Sequence, residues 1–145
     1  MLEEFLATYP FLRGDQGYIE FLETYAGAWV MQPNNDLVVN IYGFNDVSTH
    51  LVEGEGPVVD NDGFLLFAEC IVRIAPGDFT EGIMDQSFAF DATRSRKWGI
   101  YRSSAIGENE TDMAWYCDTF DEWLWALLEY KGRLPDHHPK FGTGD

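Results

Sequence analysis

The residues able to do chemistry in this 145-residue chain are three histidines, two cysteines and a surplus of carboxylates. A nucleophilic site needs a base within reach of Ser, Thr or Cys. His50 follows Ser48 and Thr49, but a triad is a matter of geometry and not adjacency, so this run reads as a surface loop. Cys70 and Cys117 lie in apolar, strand-like segments. Neither has the helix N-terminus or neighbouring base that activates a thiol, and two cysteines are too few for a disulfide scaffold. Both read as core, and no catalytic residue is assigned. For metals, Asp136-His137-His138 is one cluster, in a proline-flanked tail that suits no rigid closed site. A calcium loop with Gly63 at its sixth position would place Asp60, Asp62 and Glu69 at the third, fifth and twelfth. Its first position falls on Val58, which offers no side-chain ligand, and its flanks are strand-like. Gly54-Glu55-Gly56 is glycine-rich, yet Glu53 and Glu55 would repel a phosphate. No metal or cofactor is expected.

Carboxylates in pairs suggest glycoside hydrolysis, which needs two of them across a sugar cleft. Trp29, Trp98, Trp115, Trp123 and Trp125 could stack sugars, but most fall on apolar faces or strands and read as core. Trp125 is the exception, about 100° around the helix from Leu124 and off the apolar stripe. An exposed Trp beside acids suits an interface anchor. A small carbohydrate-active hydrolase is a remote alternative. Arg94, Arg96, Lys97 and Arg102 form the positive patch of the sequence, to be paired with acids of the same chain or with an acidic part of a partner.

Charge decides between classes. Twenty-five acids against 9 bases leave −16 at neutral pH. That balance repels phosphate backbones and anionic membrane surfaces. Residues 1–72 carry 12 acids and one base, Arg13. Residues 73–145 carry 13 acids and 8 bases. From Gly14 through Val72 there is no Lys or Arg, yet there are 10 acids. Such a surplus serves solubility, or forms an acidic face for a basic partner.

These residues need elements to hold them. Leu2, Phe5, Leu6 and Tyr9 have helical spacing and are stopped by Pro10. Asp15 reads as the N-cap of a helix carrying Tyr18, Phe21, Leu22, Tyr25 and Trp29 on one stripe, with Gly27 as its stop. Residues 37–42 form a strand, and 43–63 a long polar loop. Phe64 to Ile74 is the strongest strand. There Leu66, Ala68, Cys70, Val72 and Ile74 alternate with a partly solvated face that holds Glu69 and Arg73. Shorter strands follow at 87–91, 98–103 and 113–117, with a basic turn at 94–97 and an acidic loop at 107–112. Thr119-Phe120-Asp121-Glu122 has capping-box spacing and opens a closing helix stopped by Gly132 and Pro135. The layout is α+β: an antiparallel sheet of about five or six strands with N-terminal and C-terminal helices packed on it. The length suits one domain, with its core over about 15–130 and a tail at 131–145.

Four of these segments, in this order, resemble the SUKH superfamily (the Smi/Knr-type domain). They are the helix Tyr18-Ile19-Glu20-Phe21-Leu22, the strand Gly63-Phe64-Leu65-Leu66-Phe67-Ala68, the strand end Phe88-Ala89-Phe90-Asp91 and the helix Phe120-Asp121-Glu122-Trp123-Leu124. Many bacterial members of that superfamily are immunity proteins that bind and block a toxin, often a nuclease. Others are intracellular regulatory or scaffold modules. The resemblance therefore implies a non-enzymatic binding protein and carries over no catalytic residue.

The expected function is an immunity protein for a basic toxin domain, with a scaffold or regulatory module as the alternative. An acidic inhibitor imitates the phosphates a nuclease binds and arrives by electrostatic steering. The expected contact surface is Asp46, Glu53, Glu55, Asp60 and Asp62 in the long loop. Glu108, Glu110 and Asp112 come second, with Trp125 as an anchor. The segment Met1-Leu2-Glu3-Glu4-Phe5 lacks the basic and apolar parts of a secretory signal. With no membrane-length apolar run, the expected location is cytoplasmic, with no nucleic-acid or membrane partner.

Overall fold

The computed structural model describes residues 2–25, 28–31, 37–42, 58–59, 62–72, 83–104, 113–132, 134–135 and 137–141. Proline shapes the start. Helix α1 (Leu2–Thr8) carries Glu3 and Glu4 in its first turn, where carboxylates suit the helix dipole. Pro10 then opens a tight 3-10 turn, Pro10–Gly14, that buries Leu12. Helix α2 (Gln16–Thr24) follows directly and buries Tyr18, Ile19, Phe21 and Leu22.

The sheet is antiparallel. Its strands are β1 (Ala28–Met31), β2 (Leu37–Ile41), β3 (Val58–Val59), β4 (Phe64–Val72), β5 (Ile83–Asp91), β6 (Ile100–Ser104) and β7 (Ala114–Cys117). They lie in the order β1-β2-β4-β5-β6-β7. The two-residue β3 pairs with Leu65 and Leu66 of β4, in line with β2, which pairs with 68–72. Helix α3 (Phe120–Glu129) closes the chain's regular structure. With α2 it packs on one face of the sheet, so the fold is α+β.

Aromatic rings fill the layer between helices and sheet. Tyr18 lies 5.0 Å from Phe90, and Trp123 lies 5.0 Å from Phe67 and 5.2 Å from Phe88, centroid to centroid. Such pairs add roughly 0.5–1.5 kcal/mol each beyond the area they bury. The opposite face holds a smaller cluster, Phe64, Ala89 and Tyr101 with Leu66, Met113 and Trp115 against them. Beside it Asn40, Glu69, Ser87 and Ser103 stand in register across β2, β4, β5 and β6.

Several expectations are corrected. Trp29 belongs to β1 and not to the second helix, which ends at Thr24. The ladder Trp29↔Asn40 and Val30↔Val39 satisfies those residues, and long-range pairing outweighs their helical spacing. Gly27 lies outside the described residues. On β4, Leu66 faces the smaller cluster while Leu65 and Phe67 face the helices. Opposite Leu66 and Ala68 the partner residues are consecutive, Ala89 and Phe88, so β4 carries one extra residue there. One extra residue inverts the alternation. Glu69 is buried in the polar row, not solvated. Val58 and Val59 form a strand within what the sequence reads as loop, and β5 begins at Ile83, four residues early. Lys131, at φ 57°, takes the left-handed position after α3. Its N–H donates to Leu128 and that of Gly132 to Leu127, the paired bonds of a Schellman ending.

Candidate functional site

One carboxylate fixes the starts of α2 and α3 together. Asp15 is only 3% exposed. Its Oδ1 accepts the Tyr18 N–H at 3.2 Å, the N-cap its sequence position predicts. Its Oδ2 accepts the Phe120 N–H at 2.8 Å, so it reaches the first residue of α3 as well. Burial pushes its pKa up, the two backbone hydrogen bonds oppose this, and the charges of Asp121 and Glu122 add to the rise; the net shift is upward. Residue 17 stands against the start of α3: a Cβ there would overlap the carboxylate of Asp121, an exposed side-chain end that would have to move aside. Of the predicted capping box, the Thr119 N-cap is formed, and Glu122 meets the Thr119 hydroxyl rather than its backbone N–H. Thr119 Oγ1 accepts the Glu122 N–H at 3.2 Å and donates to Glu122 Oε1 at 3.1 Å.

Anchored this way, α3 buries Phe120, Trp123, Ala126 and Leu127. Its outer face carries Asp121, Trp125, Leu128 and Glu129, spaced so that they share one side. Trp125 is 51% exposed and Leu128 60%. A chain segment after α3 packs alongside. Tyr116 Oη donates to the Pro135 carbonyl at 2.8 Å, and Gln86 Nε2 to that of Leu134 at 3.2 Å. His138, 1% exposed, lies against Tyr116, Trp125 and Phe141. The Lys140 N–H donates to its Nδ1 at 3.0 Å. Nε2 therefore carries the hydrogen and donates to the Glu122 carbonyl at 2.9 Å. Lys140 Nζ pairs with Glu122 Oε2 at 3.0 Å. Between this segment and α3 lies a cleft of about 410 Å³, walled by Trp125, His138 and Pro139 and edged by Asp121, Glu122 and Lys140. It can seat an apolar side chain at its centre with polar contacts at its rim.

A different chemistry forms at the end of β5. Asp91 Oδ1 accepts the Thr93 N–H at 3.0 Å, the Thr93 hydroxyl at 2.6 Å and Arg96 Nη1 at 3.0 Å. Its Oδ2 accepts the Arg96 N–H at 2.9 Å. Burial alone would raise this pKa, but those donors and the Arg96 charge outweigh it and hold it below the ordinary value. The Arg96 guanidinium lies 4.4 Å from the Phe64 ring centroid, and Lys97 Nζ 3.6 Å from that of Trp115. Arg102 stands apart on β6, opposite Phe88 and Ala114. The basic cluster read from the sequence is thus a group of three with a fourth elsewhere.

Of the acids expected at a contact surface, Asp46, Glu53, Glu55, Asp60, Glu108, Glu110 and Asp112 lie outside the described residues. Asp62 is exposed at the turn before β4. Glu69 follows it along an extended strand, roughly 20 Å further on by strand rise, so the two cannot share a calcium ion. His50 and Asp136 also lie outside the described residues. His138 has both ring nitrogens engaged by backbone, so it offers no lone pair to a metal. Among the described residues no group of three potential ligands is found. Cys70 and Cys117 are free and buried, and burial pushes the Cys117 thiol far above its ordinary pKa. Asp15, a carboxylate with a raised pKa, is buried under the helices. Among the described residues no helix is long and apolar enough to cross a membrane.

The sequence missed two features of these sites. His138 reads only as part of a proline-flanked tail because its partners, Glu122, Tyr116 and Phe141, are distant or featureless in sequence. The double capping role of Asp15 spans 105 residues, and no local pattern reports it. No family model, curated protein or solved structure matches the chain.

Proposed function

We propose that this chain is a non-enzymatic binding protein whose partner is a basic protein, and that it acts as a SUKH-like immunity protein neutralising a nuclease-type toxin. The observation that carries this reading is the outer face of α3. Trp125 and Leu128 stand exposed there between Asp121 and Glu129, beside an apolar cleft. Large exposed apolar side chains ringed by charge are the anatomy of an interface centre and rim. With a net charge of −16, the complementary surface is basic, and a nuclease must be basic to hold phosphates.

The test is capture from the native cell by the wild-type chain and by a Trp125→Ala/Leu128→Ala double variant. The support expected is a basic protein retained by the first and weakened at least about tenfold with the second. Converting Asp46, Glu53, Glu55, Asp60 and Asp62 to Asn or Gln should slow association and flatten its salt dependence. A partner of acidic or neutral charge, or equal capture by both chains, would overturn the proposal.

A further inference from the structure

The cleft of about 410 Å³ beside α3 has two kinds of surface. Trp125, His138 and Pro139 make an apolar wall, and Asp121, Glu122 and Lys140 make a charged edge. Resting on the reading of α3 as the contact face, we infer that this cleft receives an arginine side chain of the basic partner, with its guanidinium stacked on Trp125.

The wall is in place before anything docks. Backbone locks the His138 ring at both nitrogens, through the Lys140 N–H at 3.0 Å and the Glu122 carbonyl at 2.9 Å. Trp125 lies against that fixed ring, 5.9 Å between centroids and 39° between planes. It is still 51% exposed. An indole face is the best side-chain partner for a cation. A planar, weakly hydrated guanidinium stacks on such a face and leaves water at lower cost than an ammonium. Its methylene stem suits the apolar wall. Lys140 does not fill the place itself. Its Nζ lies 3.0 Å from Glu122 Oε2 and 5.5 Å from the Phe141 ring centroid.

Charge selects among occupants. Glu122 and Lys140 neutralise each other in their ion pair, and the Thr119 hydroxyl holds Glu122 from the other side at 3.1 Å. His138 accepts at Nδ1 and so adds no charge. Asp121 remains, and it makes no ion pair among the described residues. Along its length α3 holds three acids, Asp121, Glu122 and Glu129, and no base. A second copy of this chain is therefore a poor occupant. Two α3 faces meeting in either direction would set acids against acids, and each chain carries −16. A purely apolar side chain would leave Asp121 unmatched at the rim. A cation with an apolar stem answers both surfaces of the cleft.

The probes are blocked tripeptides with arginine, lysine, leucine or citrulline between two glycines. Citrulline has the shape of arginine without its charge. Each is titrated into the full chain while the Trp125 indole N–H and the His138 ring are followed by NMR. The arginine peptide should give a saturable shift at both groups. It should bind about tenfold tighter than the citrulline or leucine peptide, and tighter than the lysine peptide. Trp125→Leu keeps an apolar side chain and removes the ring. It should weaken the arginine peptide about tenfold, read at His138. Asp121→Asn should weaken it about threefold. The four-peptide comparison uses the wild-type chain, so it holds even if a variant fails to fold. Citrulline or leucine binding as tightly as arginine, no saturable shift with arginine, or unchanged affinity in a folded Trp125→Leu would each overturn the inference. If Trp125→Ala/Leu128→Ala loses the captured partner while arginine and citrulline peptides bind alike, the contact face stands and only the arginine falls. Equal capture by both chains overturns the contact face, and the partner's arginine with it.

Discussion

Asp15 lies under the start of α3 and Asp91 at the end of β5. They are 3% and 4% exposed, and each accepts two backbone N–H groups. Their pKa values nonetheless move in opposite directions. Asp91 shares its pocket with Arg96 and the Thr93 hydroxyl, and ionisation is favoured. Asp15 gains only backbone donors and faces Asp121 and Glu122, so burial prevails. Similar surface exposure does not imply similar cost: Asp15 lies deeper, under the two helices and beside Asp121 and Glu122, while Asp91 has the Arg96 charge and the Thr93 donors beside it. The same difference appears on the surface above each. The helix face near Asp15 is apolar and acidic, while the turn ordered by Asp91 gathers cations.

The sharpest way to break the second region is Gly99→Ala. Gly99 has φ 144°, and a Cβ there would lie 2.5 Å from the Cys117 carbonyl oxygen and overlap the Trp115 indole nitrogen, which donates to the Trp98 carbonyl. Left-handed strain and overpacking together should cost about 3–5 kcal/mol in urea unfolding. Next comes Asp91→Ala, which leaves four donor groups of the turn unmatched. Arg96 is partly solvated and recovers water, so the expected loss is about 2–3 kcal/mol. The folded Asp91 pKa lies below 3.8. Its contribution is therefore present above pH 3.8 and is lost as pH falls through the folded value. Asp91→Asn should flatten that acid limb.

Asp15→Ala removes one cap from each of two helices and should cost about 2 kcal/mol by the same measurement. Here the pH argument reverses. The folded pKa lies above 3.8, so the native state holds the proton more tightly. The contribution is full below pH 3.8 and is lost as pH rises through the folded value. Asp15→Asn should flatten stability in that higher window and leave the Asp91 limb unchanged. If both variants alter the same window, the contrast between the two carboxylates fails. The smallest effect belongs to Trp125→Ala, which should change stability by no more than about 0.5 kcal/mol because the ring is half in solvent.

What the sequence made legible was local. Asp15 at an N-cap, Thr119 at another and the outward offset of Trp125 are patterns of neighbouring residues, and the structure has each of them. Losses came where partners are remote. The extra residue in β4 is defined only against β5, so the parity of Leu66 could not be read from β4 alone. Trp29 fits a helical stripe until Asn40 is placed opposite it. The basic run at 94–97 was plain, but the residue that orders it, Asp91, carries the opposite charge and looked like the mere end of a strand.

The hydrogen bond from Phe120 to Asp15 closes a loop of 105 residues. Closing such a loop in a free chain costs on the order of 4 kcal/mol of entropy, more than one hydrogen bond returns. The contact can therefore persist only after the intervening strands have assembled and shortened the gap. On the ribosome, α2 emerges early, yet its N-terminus waits for α3 to be synthesised before its shared cap is complete. Until then Tyr18, Phe21 and their neighbours lack their final cover, and the nascent chain presents that apolar stripe to whatever chaperone surveys it.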